Sequence, residues 1–134
     1  MFTFENLDVW TKSIELTDVI YQVIEDLPHD EMDGLSNHLY EAVVSIPTNI
    51  AVGCGRATNK DFAYFVSVAY GSLMKTISLL EVVRRRDLVS LTAFASLYAL
   101  CEEMALKLSD LSSSLEKPSK IIPPKISTPN TSLC

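Results

Sequence analysis

An all-α fold, an up-down-up-down antiparallel four-helix bundle, is predicted by three observations. Apolar residues recur at three- and four-residue steps in four successive stretches. No stretch alternates with the period of two that marks a half-buried strand. The breaks between stretches are only a few residues long, which makes consecutive helices antiparallel neighbours. A chain of 134 residues then forms one bundle domain over residues 1–115, large enough to bury a core, with residues 116–134 as a flexible tail.

The first helix follows Asp8, a candidate N-cap, and carries Val9, Leu16, Ile20, Val23, Ile24 and Leu27 on one face before Pro28 with His29-Asp30 stops it. The second is expected from about Gly34 or Leu35, with Leu39, Ala42, Val43, Ile46 and Ile50 facing inward and Gly53-Cys54-Gly55 as its stop. Thr58 followed by Asp61 resembles a capping box, opening a third helix to about Arg86. Ser90 can cap a fourth, in which Phe94, Leu97, Cys101, Met104, Leu108, Leu111 and Leu115 keep the helical period. The remaining KPSKIIPPKISTPNTSLC is rich in Pro, Ser and Thr and suits neither a helix nor a core. Asn130-Thr131-Ser132 there matches a glycosylation sequon, and reads as a chance match.

Pro47 interrupts the second helix. In a helix interior proline removes one donor and clashes with the carbonyl four residues back, at a cost of about 3 kcal/mol. Apolar spacing nevertheless continues through Ile46 and Ile50, so Pro47 is predicted to kink the helix without ending it. Ser45, Thr48 or Asn49 would help satisfy freed backbone groups. Gly53 and Gly55 then make the true stop and position Arg56.

On the third helix Phe62, Phe65, Val66, Ala69, Leu73 and Leu80 form the expected core face. The opposite face carries Tyr64, Val68, Gly71, Leu79 and Val82, interrupted mainly by Lys75 and serines. One small bundle cannot cover both faces, so self-association through the second is expected. Gly71 fits a close backbone approach, since a mid-helix glycine otherwise costs about 1 kcal/mol relative to alanine.

Net charge is −6, which opposes diffuse attraction to nucleic acid. Its distribution is segmented: residues 1–33 hold nine acids against Lys12 alone, whereas residues 56–86 hold six bases against Asp61 and Glu81. Arg84-Arg85-Arg86 fall at the same pole as the acidic connection around Glu25, Asp26, Asp30, Glu31 and Asp33, which implies mutual neutralisation. The opposite pole collects Arg56 and Lys60, with Lys117, Lys120 and Lys125 nearby. It is the candidate binding surface for a nucleic acid or another anionic partner.

Catalytic signatures are missing. The only approach to a di-iron pattern is His38-x-x-Glu41, reversed and single. GCG lacks the length and following lysine of a phosphate loop, and two histidines support no nucleophilic constellation. Neither Arg56 nor Arg84 to Arg86 begins an Arg-x4-His ribonuclease motif. Cys54, Cys101 and Cys134 are widely spaced without a C-x-x-C pair, so neither a disulfide framework nor a zinc site is indicated; no catalytic residue, metal or cofactor is assigned. No basic leader with an apolar run opens the chain, and no stretch reaches about 18 uninterrupted apolar residues. A cytoplasmic location without membrane association is the default.

Three stretches carry a resemblance: FENLDVWTKSIEL at 4–16, LPHDEMDGLSNHLYEAVVSIPTNIAVGCGR at 27–56 and DFAYFVSVAYGSL at 61–73. They resemble the four-helix bundle proteins first noticed as products of intervening sequences within bacterial 23S ribosomal RNA genes. The S-I-P-x-N-I-A-x-G-x-G-R core is the specific part, and the match spans about residues 4–115. The resemblance implies a bundle that associates into a ring, typically of five subunits. It also implies a relationship to the accessory proteins of diversity-generating retroelements, which bind a reverse transcriptase and nucleic acid. This chain departs from the family pattern at Val52, where Glu is usual, at Lys75 and Ile77, where acids are common, and at Tyr40 and Glu41, where bases are common. Ser45, Pro47, Asn49, Gly53, Gly55 and Arg56 are retained.

Two functional readings follow. The first is a non-enzymatic homo-oligomeric scaffold or adaptor that presents Arg56 and Lys60 to structured RNA or another nucleic acid, with Tyr64, Val68, Gly71, Leu79 and Val82 as the subunit contact. The alternative is a binder of a protein partner, of the kind that accompanies reverse transcriptases or nucleotidyltransferases, without nucleic-acid affinity.

Overall fold

Residues 1–116 are described in a computed structural model, residues 29–33 by backbone alone. A single 3-10 turn, Thr3–Asn6, precedes α1 (Asp8–Asp26), α2 (His29–Cys54), α3 (Asn59–Arg85) and α4 (Leu91–Glu116). No strand occurs among the described residues. Each helix runs close beside its two neighbours around a square, α1 with α2 and α4, α3 with α2 and α4, while among the described residues the backbones of the diagonal pairs stay further apart. Contacts between helices give the directions. Lys107 meets Asp8 and Lys12 meets Glu103 across α4 and α1, and Arg84 lies over Phe94 at the α3–α4 turn. The arrangement is the expected up-down-up-down bundle.

The core is built from the apolar stripes. Leu16 and Ile20 of α1, Leu39, Val43, Ile46 and Ile50 of α2, Leu73 of α3, and Cys101, Met104 and Leu108 of α4 are fully buried. Each large aliphatic side chain removed from water in this way contributes about 1.5–3 kcal/mol. Phe65, expected in the core, is only half-buried. It sits at the edge of the α3 stripe, and Thr76 and Val83 complete the buried line instead. Thr76 is tolerated there because its hydroxyl donates to the Ser72 carbonyl at 2.9 Å.

Helix ends follow the local signals with two exceptions. Thr58 Oγ1 accepts from the Asp61 amide at 3.1 Å and Ser90 Oγ from the Ala93 amide at 3.1 Å, so both are caps as expected. Asp8 is not a cap: Leu7 holds that position, and Asp8 is already helical and paired with Lys107. α2 begins at His29 rather than near Gly34. Pro28, with φ −61°, occupies the position before the first helical residue. Proline is compatible with a helix start. Gly34 lies inside the helix with no neighbour within 4 Å of a would-be Cβ, at the modest cost of an interior glycine.

α4 extends through Glu116, one residue into the expected tail. The remaining tail, with Lys117, Lys120, Lys125, Cys134 and the sequon, lies outside the described residues. By length and composition α3 is apolar enough to cross a membrane, yet one stripe of it packs into the bundle core.

Candidate functional site

α2 runs unbroken through Pro47, which is buried. The carbonyl that loses its helical donor is that of Val43. Side chains grip the next two instead: Thr48 Oγ1 donates to the Val44 carbonyl at 2.8 Å, and Asn49 Nδ2 to the Ser45 carbonyl at 2.8 Å. Asn49 Nδ2 also reaches Ser45 Oγ at 2.8 Å, and Ser72 Oγ donates to that same Ser45 oxygen at 2.8 Å. Thr48 and Asn49 thus brace the carbonyls beside the freed one rather than the Val43 carbonyl itself, and Asn49 and Ser45 belong to a polar relay that ties α2 to α3. Its interhelical half, Ser72, is 27 residues from Ser45 and carries no local signal.

Gly53 and Gly55 end α2 in different ways. Gly55, at φ −82°, is right-handed, and its amide donates back to the Ala51 and Val52 carbonyls at 3.2 and 3.1 Å. Neither glycine uses the left-handed conformation. Gly53 is buried beneath the first turn of α3, where a Cβ would lie 2.8 Å from both Phe62 Cδ1 and Phe65 Cβ. Its absent side chain is what lets the two helices meet at this corner. Cys54 between them packs half-buried against the core.

Arg56 and Lys60 are both exposed on this corner. The Arg56 guanidinium lies 4.8 Å from the centre of the Phe65 ring. The half-buried Phe65 ring at the edge of the core thus supports a cation. Neither Arg56 nor Lys60 forms an ion pair among the described residues.

The outer stripe of α3 runs from this corner along Lys60, Tyr64, Val68, Gly71, Lys75, Val82 and Arg86. Tyr64 is 62% exposed and Val82 37%, Gly71 is exposed, and Val68 and Leu79 are half-buried. Leu79 packs against the core cluster. Nothing lies within 4 Å of a Cβ built on Gly71.

At the far pole the arginine cluster is neutralised differently from the expected way. Glu81, on the same helix, accepts from Arg84 Nε at 2.9 Å and Nη2 at 2.6 Å, and from Arg85 Nε at 2.8 Å. Glu25 and Asp26 make no ion pair with the arginines among the described residues, and the side chains of Asp30, Glu31 and Asp33 lie outside them. Hydrogen bonds from Arg84 and then Arg85 hold the Glu81 carboxyl well below the carboxylate range, at about 2. Arg86 makes no ion pair among the described residues.

Chemically reactive groups are few. Cys101 is buried, and burial pushes its thiol up to about 11. Among the described residues no group of three His, Cys, Asp or Glu is placed to hold a metal ion. His38 is exposed, and no donor set gathers around it.

Residues 5–110 match the family described as 23S rRNA-intervening sequence protein. No curated protein matches the chain. Among solved structures, the chain is similar to the crystal structure, at 1.70 Å resolution, of a protein with unknown function from the S23 ribosomal protein family of Bacteroides thetaiotaomicron. The TM-score is 0.71 at 20% identity, covering 81% of this chain and 99% of that one. At that identity the likeness is one of fold.

Proposed function

The chain belongs to the 23S rRNA-intervening sequence protein family, and from that premise we propose that it is a non-enzymatic, homo-oligomeric scaffold or adaptor whose Arg56–Lys60 corner engages structured RNA. One observation carries this reading. Among the described residues the cations without an ion pair are Arg56, Lys60, Lys75 and Arg86, and all lie on or beside the outer stripe of α3. A chain of net charge −6 has no general attraction for phosphate, so binding needs such a local concentration.

Arg56 is suited to it. The Phe65 ring holds the guanidinium carbon at 4.8 Å, while the N–H donors that a cation–ring contact leaves available can bind phosphate. Copies arranged in a ring, of five subunits as in the family pattern, would repeat this corner and add their weak attractions. Tyr64, Val68, Gly71, Leu79 and Val82 supply the subunit contact. The location consistent with this role is the cytoplasm.

Retention of structured RNA on a filter, measured across a salt series, tests the RNA reading. Wild-type protein should bind at low salt, and Arg56→Glu with Lys60→Glu should abolish retention. Neutral Arg56→Gln with Lys60→Gln should lower the slope of log affinity against log salt by about 2. Absence of retention at low salt, or retention indifferent to both pairs of substitutions, would overturn it and favour the binder of a protein partner.

A further inference from the structure

A head-to-tail ring of identical subunits needs two unlike, complementary surfaces on each copy. The α3 stripe is one, and the diagonally opposite side of the bundle holds a surface that fits the other. The α1–α4 seam is the sparsest of the four helix contacts. Toward the start of α1 it is closed by the Asp8–Lys107 pair and by Lys12 with Glu103 at 3.6 Å. Toward the end of α1 no ion pair among the described residues closes it. Val19, Val23, Ala93, Leu97 and Leu100 there line an open groove of about 500 Å³, with Asp26 also in its wall.

We propose that this α1–α4 groove receives the α3 outer stripe of a second copy of the chain. The inference rests on the self-association reading and adds which surface the stripe meets. Charge decides between the alternatives. The stripe combines Tyr64, Val68 and Val82 with Lys60, Lys75 and Arg86, which make no ion pair among the described residues, against the single acid Asp61 at its entry. A contact of the stripe with its own copy would therefore set cation against cation in a partly dehydrated seam.

The groove side offers the reverse. Besides Asp26 in the groove wall, Asp18 and Glu25 on the same half of α1 make no ion pair among the described residues. Internal pairing has used up Asp8, Glu15, Glu81 and Glu103. Val19, 42% exposed, supplies apolar surface to meet the stripe. Gly71, with open space around it, lowers the middle of the stripe so that a groove wall can approach its backbone.

Mixing two variants of the full chain tests this pairing. Val19→Lys with Ser96→Lys blocks the groove by setting cations against the stripe's own, and Tyr64→Asp with Val82→Asp blocks the stripe; all four positions are exposed, and circular dichroism checks that each variant stays folded. In size-exclusion chromatography with light scattering, wild type should be oligomeric and each variant monomeric. An equimolar mixture should form a dimer and nothing larger, because each such pair retains one intact seam. A groove variant that keeps the wild-type mass while the stripe variant dissociates overturns the inference but leaves self-association through α3 standing. A mixture that stays monomeric also overturns the pairing. A monomeric wild type overturns both readings.

Discussion

Gly53 and Gly71 are the same residue in opposite surroundings, and alanine at each should act in opposite directions. At Gly53 the added methyl would meet Phe62 Cδ1 and Phe65 Cβ at 2.8 Å and the Phe62 carbonyl oxygen at 3.3 Å. Phe62 is buried and Phe65 Cβ is tied to its backbone, so the first turn of α3 must shift; Gly53→Ala should lower stability by about 1–3 kcal/mol. At Gly71 the methyl meets nothing within 4 Å, so Gly71→Ala should stabilise the subunit by about 0.5–1 kcal/mol through helix propensity. Urea unfolding at a concentration where the protein is monomeric measures both, and a destabilised Gly71→Ala would contradict the open surroundings. Sequence reading takes Gly53 for a helix stop because Gly-Cys-Gly is a local signal, whereas its packing against α3 exists only in the assembled corner. The opposite oversight occurs at the end of α3, where Asp87 adopts φ 57°. There the Leu88 amide donates to the Val83 carbonyl and the Asp87 amide to the Arg84 carbonyl, a left-handed helix stop usually marked by glycine.

Among elements, α3 shows how one helix fills three roles at once: its core stripe joins the bundle, its Ser72 bonds α2, and its last turn organises its own charges. Glu81 holds Arg84 and Arg85, opposite in charge to the C-terminal dipole at which those arginines are favourable. Its folded carboxyl, at about 2, lies below the ordinary value of 4.5. The stabilisation from this cluster is therefore fully present above about pH 4.5 and disappears as pH falls through about 2. In carboxyl NMR titrations Glu81 should keep its charge through the range where exposed glutamates protonate, and Arg84→Ala should move its midpoint back toward 4.5; an unchanged midpoint would sink the assignment. Helix number, order and inward faces were readable from sequence because burial imposes a 3.6-residue period on composition. The start of α2 was not, since Pro28 is compatible with both a loop and a helix start, and neither was the Ser45–Ser72 bond, since no local rule links residues 27 apart.

For the whole molecule, the governing feature is that internal ion pairing leaves every lysine and arginine without an ion pair, among the described residues, on α3 or at its ends, while α1 keeps the unpaired acids Asp18, Glu25 and Asp26. A segmented sequence suggested this, but which charges remain unpaired depends on contacts such as Lys107 with Asp8 and Lys12 with Glu103. If assembly joins α3 of one copy to the α1–α4 side of another, its charged part must be screened by salt while its apolar part is not. The Debye length falls from about 10 Å at 0.1 M to about 3 Å at 1 M, and exposed pairs contribute roughly 0–1 kcal/mol each. Three such pairs give about 1.4 kcal/mol, so raising sodium chloride from 0.05 to 1 M should weaken association about tenfold. Sodium sulfate should weaken it less, because sulfate also strengthens apolar burial. Sedimentation equilibrium across both salts, with circular dichroism to follow the fold, separates the terms. Dissociation with unchanged helicity in chloride is the expected outcome, and an association constant indifferent to chloride would show that the sorted charges lie outside the contact.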